Sequence, residues 1–308
     1  MNRRIFLVSG TIALLFAVHL IGNAGGQTPR VRSEPSLSLG IVSQKPQEAV
    51  EERFQDFVNY LAQRLSPTSE IKGGIVVAPT ALQLATLLEE KKVDFYMESP
   101  YATYLVNRLG VARVLLRRWK GGVAEYKSII FTRTDSGITR LEDLLGKIIV
   151  FEDPGSTSAY LLPKVLLINK GFMVAEKSSF EATVSPKEIG YLFAGSERNI
   201  VTWVLSKKAA AGAFSNDDLA KLDEKRKAEF FILAETKMFP RHLLSVRKDL
   251  DPVLVKRLQD ILLSMHQDEQ GRRILQKTDN TTQFDLLPGG EEGVRRQLME
   301  VFRPRVAK

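Results

Sequence analysis

From Leu37 onward, short apolar runs alternate with longer amphipathic stretches. The runs Leu37–Val42, Gly74–Ala78, Val93–Met97, Val111–Leu116, Ser128–Arg133, Lys147–Glu152, Ala209–Phe214 and Glu229–Leu233 are bounded by turn residues and predict strands. Between them, Glu48–Arg64, Thr80–Lys91, Tyr101–Arg108, Leu141–Leu145, Asn199–Lys207 and Val253–His266 space their apolar residues at helical intervals. Strands that alternate with helices predict an α/β fold with largely parallel sheets. No internal repeat or low-complexity tract breaks the alternation.

The N-terminus follows a different pattern. MNRRIFLVSGTIALLFAVHLIGNAGG places Arg3 and Arg4 before an apolar run from Ile5 to Ile21 and ends on Gly22, Ala24, Gly25 and Gly26. A basic start, an apolar centre and a small-residue end form the layout of an export signal over residues 1–26. The RR pair followed by Ile5, Phe6 and Leu7 resembles a twin-arginine signal, although Asn2 stands where serine or threonine is usual and no lysine follows. Ordinary secretory export is the other route. The alternative to cleavage is an uncleaved inner-membrane anchor, since the run is a little short of the roughly 20 apolar residues that span a bilayer.

Composition narrows the function classes. The 308 residues are 44% hydrophobic and 26% charged, as in a soluble globular protein long enough to form one large domain or two lobes. With no cysteine, the chain has no disulfide framework, no lipid-modified cysteine after the leader and no Cys–His catalytic pair. Export then predicts a soluble periplasmic protein. The net charge of +8 falls by two without Arg3 and Arg4, and the basic residues are scattered, with short groups at Arg117–Lys120 and Lys225–Lys227. An exported chain of this kind is not expected to bind nucleic acid; its surface favours small anions through long-range attraction. Beyond the leader the histidines are His242 and His266, and no zinc-protease, EF-hand or Walker motif is present. Neither an enzyme nor a cofactor or metal is predicted, although carboxylates such as Asp217 and Asp218 remain available to a spatial cluster.

One stretch carries candidate chemistry. In FEDPGSTSAYLLP, residues 151–163, a predicted strand gives way through Asp153-Pro154-Gly155 to Ser156, Thr157 and Ser158 at a helix start. Helix starts present unpaired backbone N–H groups and partial positive charge, so they receive oxyanions. Hydroxyl side chains add donors, and Gly155 lets a ligand approach the backbone. A single serine there would be an ordinary N-cap; three hydroxyls in succession exceed what a cap requires. Pro163 requires the regular helix to begin later than Ser156 or to be kinked.

Tyr126-Lys127-Ser128, and then RTDSGITRLEDLLGKIIVFEDPGSTSAYLLPKVLLINKG from Arg133 to Gly171, resemble the phosphonate, phosphite and phosphate periplasmic binding proteins of ABC transporters. The resemblance extends through VDFYMESPYATYL (Val93–Leu105), FAGSERN, AAAGAF, MFPRHLLSVRKDLDP (Met238–Pro252) and HQDEQGRRIL, from Leu37 to about Leu287. It implies a two-lobed type II periplasmic binding fold, each lobe a mostly parallel sheet flanked by helices with the ligand cleft between them. The first lobe would hold residues 37–125 and 235–308, the second 126–234, with a hinge near Tyr126–Phe131 and Leu233–Thr236. It further implies that Ser156, Thr157 and Ser158 hold phosphoryl oxygens, that Ser99, Pro100 and Tyr101 face them from the opposite lobe with Ser43 and Gln44, and that Tyr126 lines the cleft near the hinge. The implied partners are an ABC permease or, alternatively, a membrane receptor that the protein serves as a ligand sensor, and the implied state is a monomer.

Two departures from that family stand out. Glu197 occupies the place of a histidine that donates to the anion, and an ionised glutamate cannot donate. Ala210 lies in the strand that often carries an aspartate. Arg198 or Asn199 could supply the missing donor, or could be solvent-facing residues of a first helical turn. Glu98 and Glu197, if both face the cleft, suit a ligand with an amine beside its acidic head, such as an aminoalkylphosphonate; the alternative is that both point into water.

Overall fold

The structure is a computed structural model that describes residues 36–66 and 71–302. The export signal expected over residues 1–26 lies outside the described residues. Among those described, no helix is long and apolar enough to cross a membrane.

Two six-stranded sheets, each with its own helices, make up two lobes. The strands are β1 (Ser36–Val42), β2 (Lys72–Ala78), β3 (Phe95–Glu98), β4 (Ala112–Lys120), β5 (Glu125–Tyr126), β6 (Ser128–Arg133), β7 (Ile148–Phe151), β8 (Met173–Glu176), β9 (Glu188–Phe193), β10 (Ala211–Ser215), β11 (Phe230–Glu235), β12 (Phe239–Pro240), β13 (His242–Arg247) and β14 (Thr281–Asp285). The first sheet has the order β14-β4-β13-β3-β1-β2 and the second β11-β6-β10-β7-β9-β8.

Most strands of each sheet run in one direction, as expected, and the exceptions make both sheets mixed. β1 runs parallel to β2 and β3, but β13 lies antiparallel between β3 and β4. In the second sheet β7 runs parallel to β9 and β10, and β6 is antiparallel to β10 and β11. The chain's path explains the exceptions. β6 and β13 each follow directly on a crossing strand, so they enter their sheet from the hinge end and run against the strands that end there. The crossing strands pair with each other, Tyr126 opposite Phe239 and Glu125 opposite Pro240.

The helices are α1 (Gln47–Leu65), α2 (Ala81–Glu89), α3 (Pro100–Asn107), α4 (Leu162–Asn169), α5 (Glu197–Leu205), α6 (Asn216–Lys221), α7 (Glu224–Ala228), α8 (Pro252–Ser264), α9 (Glu269–Lys277) and α10 (Gly290–Phe302). Residues 141–144, expected as a helix, form a 3-10 turn. Phe57, Leu61 and Phe54 of α1 pack with Phe95, Leu244 and Phe284 on one face of the first sheet. Leu84 and Leu88 of α2 cover its other face with Tyr96. Phe131, Phe214 and Ile200 fill one side of the second sheet, and Phe151, Tyr191 and Leu167 the other.

A further apolar cluster belongs to both lobes. Tyr104, Val114 and Leu243 of the first lobe, Leu162 of the second, and Tyr126 and Phe239 of the hinge pack against Val294, Leu298 and Phe302 of α10. The Phe302 ring lies 5.3 Å from Tyr101, 5.7 Å from Tyr104 and 5.7 Å from Phe239. The C-terminal helix therefore bolts the hinge against the segment that begins α3.

The seating of α1 on β2 depends on two adjacent glycines with different roles. A Cβ on Gly73 would meet the Val58 carbonyl carbon at 2.6 Å and the Asn59 nitrogen at 2.8 Å, whereas one on Gly74 would meet only the Ser38 hydroxyl oxygen at 3.4 Å. Gly73→Ala is expected to destabilise the fold by about 1–3 kcal/mol and Gly74→Ala by under about 0.5 kcal/mol, measured by urea unfolding; equal effects would show that α1 does not approach β2 this closely.

Candidate functional site

The loop after β7 shapes the second lobe's side of the cleft. All four residues of β7 are buried. Beyond it, Asp153 accepts the Gly155 N–H on Oδ1 at 2.7 Å, and its carbonyl accepts the Ser156 N–H at 3.2 Å. Residues 157–161 then form one π-helical turn, with the Leu161 N–H on the Ser156 carbonyl at 3.1 Å, before α4 begins at Leu162. Pro163 explains the wide turn. It has no N–H for the usual helical bond, so the backbone opens ahead of it and the regular helix starts late.

The three hydroxyls divide the work. Ser156 is the N-cap, its Oγ accepting the Ala159 N–H at 3.1 Å, and it also bonds the Glu152 carboxyl. Thr157 is buried and turns toward the first lobe, where its Oγ1 accepts the Tyr101 backbone N–H at 3.3 Å. Thr157 and Ser158 both reach the Tyr126 hydroxyl. Tyr126 is buried, which raises its pKa and keeps the phenol protonated as a donor.

From the first lobe, β3 ends at Glu98 and α3 starts with Ser99 as N-cap and Pro100 as first helical residue. Ser99 makes no side-chain capping bond. The proline gives up no bond there and pre-sets the backbone that aims the Tyr101 N–H across the cleft. Ser156, Thr157, Ser158, Tyr126 and the Ser99–Tyr101 segment thus meet in one place. Ser43 and Gln44 do not join them through any described contact: the Ser43 hydroxyl accepts the Lys45 N–H at 3.0 Å, and the exposed Gln44 donates its amide to the Pro79 carbonyl at 2.6 Å.

Glu98 does not point into water. Its Oε1 accepts the Val42 N–H at 2.7 Å, tying the ends of β1 and β3 together. Burial pushes its carboxyl up to about 7 against the pull of the Val42 and Ser99 N–H groups, Arg118 and Lys120. Glu197 has other neighbours. It is exposed at the start of α5, yet partial burial, Asp218 and Glu152 push it up to about 7, with Lys221 opposing. Glu197, Arg198, Asp218 and Lys221 line a groove of about 390 Å³ on the second lobe. Asn199 donates its side-chain amide to the Ala194 carbonyl at 2.7 Å, and the Ala210 carbonyl accepts the Thr132 hydroxyl at 2.6 Å.

A group of cations gathers near the hinge: Arg118 and Lys120 come from the short basic run at 117–120, whereas Arg241 had no signal in the sequence beyond the bare string FPRHLL. Arg241 pairs with Asp217 of the second lobe at 2.8 Å, and its guanidinium lies 5.2 Å from the centre of the Tyr126 ring. Lys120 pairs with Asp279 at 2.5 Å, and the buried Arg118 bonds the Thr281 hydroxyl at 2.7 Å and the Thr278 carbonyl at 2.9 Å. His242 stays neutral, because burial and the positive charges of Arg118, Lys120 and Arg241 all hold its pKa well below the usual histidine value.

The sequence profile described as "ABC transporter, phosphonate, periplasmic substrate-binding protein" matches residues 39–287. The chain is 29% identical over 177 residues to the phosphate-import protein PhnD of Mycolicibacterium smegmatis; the match covers 50% of this chain and 53% of that protein, so the chain spans about half the length of this curated relative. Among solved structures it is similar to XAC2383 from Xanthomonas citri bound to ATP, with a TM-score of 0.76 and 29% identity over 86% of this chain and 98% of the other. It shares its fold with PhnD1 from Prochlorococcus marinus in complex with methylphosphonate, with a TM-score of 0.60 and 18% identity over 87% and 97% of the two chains.

The raised Glu98 carboxyl has a consequence for stability. In the folded protein it keeps its proton up to about 7, whereas the ordinary value is 4.5, so its burial costs nothing at acidic pH and progressively more as pH rises from 4.5 through 7. Glu98→Gln, which keeps an oxygen for the Val42 N–H, is expected to gain stability relative to the native chain by roughly 1–3 kcal/mol between pH 5 and pH 8. Parallel unfolding curves at the two pH values would show that this carboxyl has its ordinary acidity.

Proposed function

Because the chain belongs to the phosphonate ABC-transporter family of periplasmic substrate-binding proteins, matched over residues 39–287, we propose that it captures a small phosphorus oxyanion between its lobes and presents it to an ABC importer as a monomer. The observation that carries this reading is the hydrogen bond from the Tyr101 N–H to the Thr157 hydroxyl. It brings the start of α3 and the hydroxyl loop of the opposite lobe within one ligand's reach. The Thr157 and Ser158 O–H groups, the Tyr126 phenol and the backbone N–H groups at the π turn are neutral donors converging on one position, as an oxyanion needs.

Relatives point to the same chemical group in different settings. The Mycolicibacterium protein is named for phosphate, and the Xanthomonas structure holds ATP. Both ligands carry phosphoryl oxygens. The carboxylates bordering the cradle, Glu152, Glu197 and Asp218, favour ligands that carry a proton or a cationic group beside the phosphorus, which keeps 2-aminoethylphosphonate among the ligands to be tested. Glu98 is engaged by its own lobe and does not form a shared amine pocket with Glu197 in this reading. The family is one of transport proteins, and a role as sensor for a membrane receptor would leave the cradle unchanged.

Calorimetric titration of the chain from Gln27 with inorganic phosphate, phosphite, methylphosphonate, 2-aminoethylphosphonate and ATP tests the reading. Saturable binding of at least one is expected, weakened about 10- to 100-fold by Thr157→Val, the worth of a hydrogen bond to a charged group. No binding of any of the five, or undiminished binding by the variant, would overturn it.

A further inference from the structure

The ion pair between Arg241 and Asp217 differs from every other pairing of the cleft's cations. Lys120 bonds Asp279 and Lys221 bonds Asp218 at 2.6 Å, each within its own lobe. Arg241 lies between the hinge strand β12 and β13, where its N–H is held by the Ala124 carbonyl at 2.8 Å. Asp217 lies at the start of α6 in the second lobe. Its neighbour Asn216 is fixed to the hinge by the Lys127 N–H, which donates to the Asn216 Oδ1 at 2.7 Å. The pair therefore crosses from one lobe to the other.

It is also incompletely satisfied. Both side chains are largely buried, 15% and 11% exposed. The approach of Nη1 to Oδ2 is close, but Asp217 Oδ2 makes no well-directed hydrogen bond and Arg241 Nε makes none at all. A buried donor without an acceptor costs stability. Burial raises the Asp217 pKa despite Arg241, so the carboxylate is poorly stabilised where it stands. Nε and the neighbouring Nη form the guanidinium edge that grips phosphoryl oxygens two at a time. That edge belongs to a group stacked over Tyr126, the residue whose hydroxyl meets Thr157 and Ser158.

We propose that Arg241 is the charged recognition group of the cleft and that Asp217 holds it in reserve, so that an entering phosphoryl group takes over Arg241 from the Asp217 carboxylate. The proposal rests on the oxyanion reading above. In it, the hydroxyls and Tyr126 set the position of the phosphorus group, and Arg241 supplies charge only once Asp217 is displaced. A neutral molecule of the same shape cannot make the exchange, because it offers no charge to compensate for the released carboxylate. Competition by Asp217 thus discriminates against uncharged ligands at the expense of some affinity for the correct one.

Opposite signs in two variants test the exchange. With inorganic phosphate, methylphosphonate and ATP titrated separately, Arg241→Gln is expected to weaken binding of the retained ligand at least tenfold, and Asp217→Asn to tighten it severalfold by freeing the guanidinium. A tighter complex cannot come from a misfolded chain, and thermal unfolding of both variants reports separately on the fold. If instead both substitutions weaken binding, the pair is a latch between the lobes; if neither changes it, Arg241 is not at the ligand. Either result overturns the exchange while a loss of binding in Thr157→Val still upholds the oxyanion cradle. If the native chain binds none of the three anions, the oxyanion reading fails and this proposal with it.

Discussion

The hydrogen bond between the Tyr101 N–H and the Thr157 hydroxyl joins the two lobes across the cleft. Taken alone it is worth about 1 kcal/mol, too little to hold two six-stranded lobes together. It forms because its partners are aimed beforehand. Pro100 sets the first turn of α3, and Pro163 forces the π turn that carries Thr157. The β5–β12 ladder and the ring of Phe302 against Tyr101, Tyr104 and Phe239 supply the apolar burial that seats one lobe on the other. The polar bond therefore sets register across the cleft, and the energy comes from the hinge-side cluster.

Charge is distributed around this centre in a consistent way. The converging donors are neutral: two hydroxyls, a phenol held protonated by burial, and backbone N–H groups. Ionised groups stand at the border and are paired, Lys120 with Asp279, Lys221 with Asp218, Arg241 with Asp217. Glu98 and Glu197 sit near the midpoint of their titration at neutral pH, so they add less negative charge than their number suggests.

Much of this was legible in the chain. The apolar runs located β1, β2, β6, β7 and the greater part of β3, β4, β10 and β11, because buried strands must be apolar at consecutive positions. Pro163 announced that the helix could not begin regularly, and a π turn precedes α4. Strands β5, β8, β9, β12, β13 and β14 were missed. β8 is an edge strand of mixed burial, and β13 carries His242, Ser245 and Arg247 among its apolar residues, so neither gives a clean pattern. Ser43 and Gln44, named from the family resemblance, bond within their own loop to the Lys45 N–H and the Pro79 carbonyl.

By itself the sequence determined which segments could be strands and helices and which family the chain resembles, since these depend on residue type and near spacing along the chain. Only the tertiary structure decided that Ser156 caps while Thr157 reaches across, that Glu98 faces its own lobe, and that Arg241 meets Asp217 over Tyr126. Those outcomes depend on two crossings of the chain between the lobes, which bring residues far apart in sequence into contact, and no local pattern encodes such a meeting.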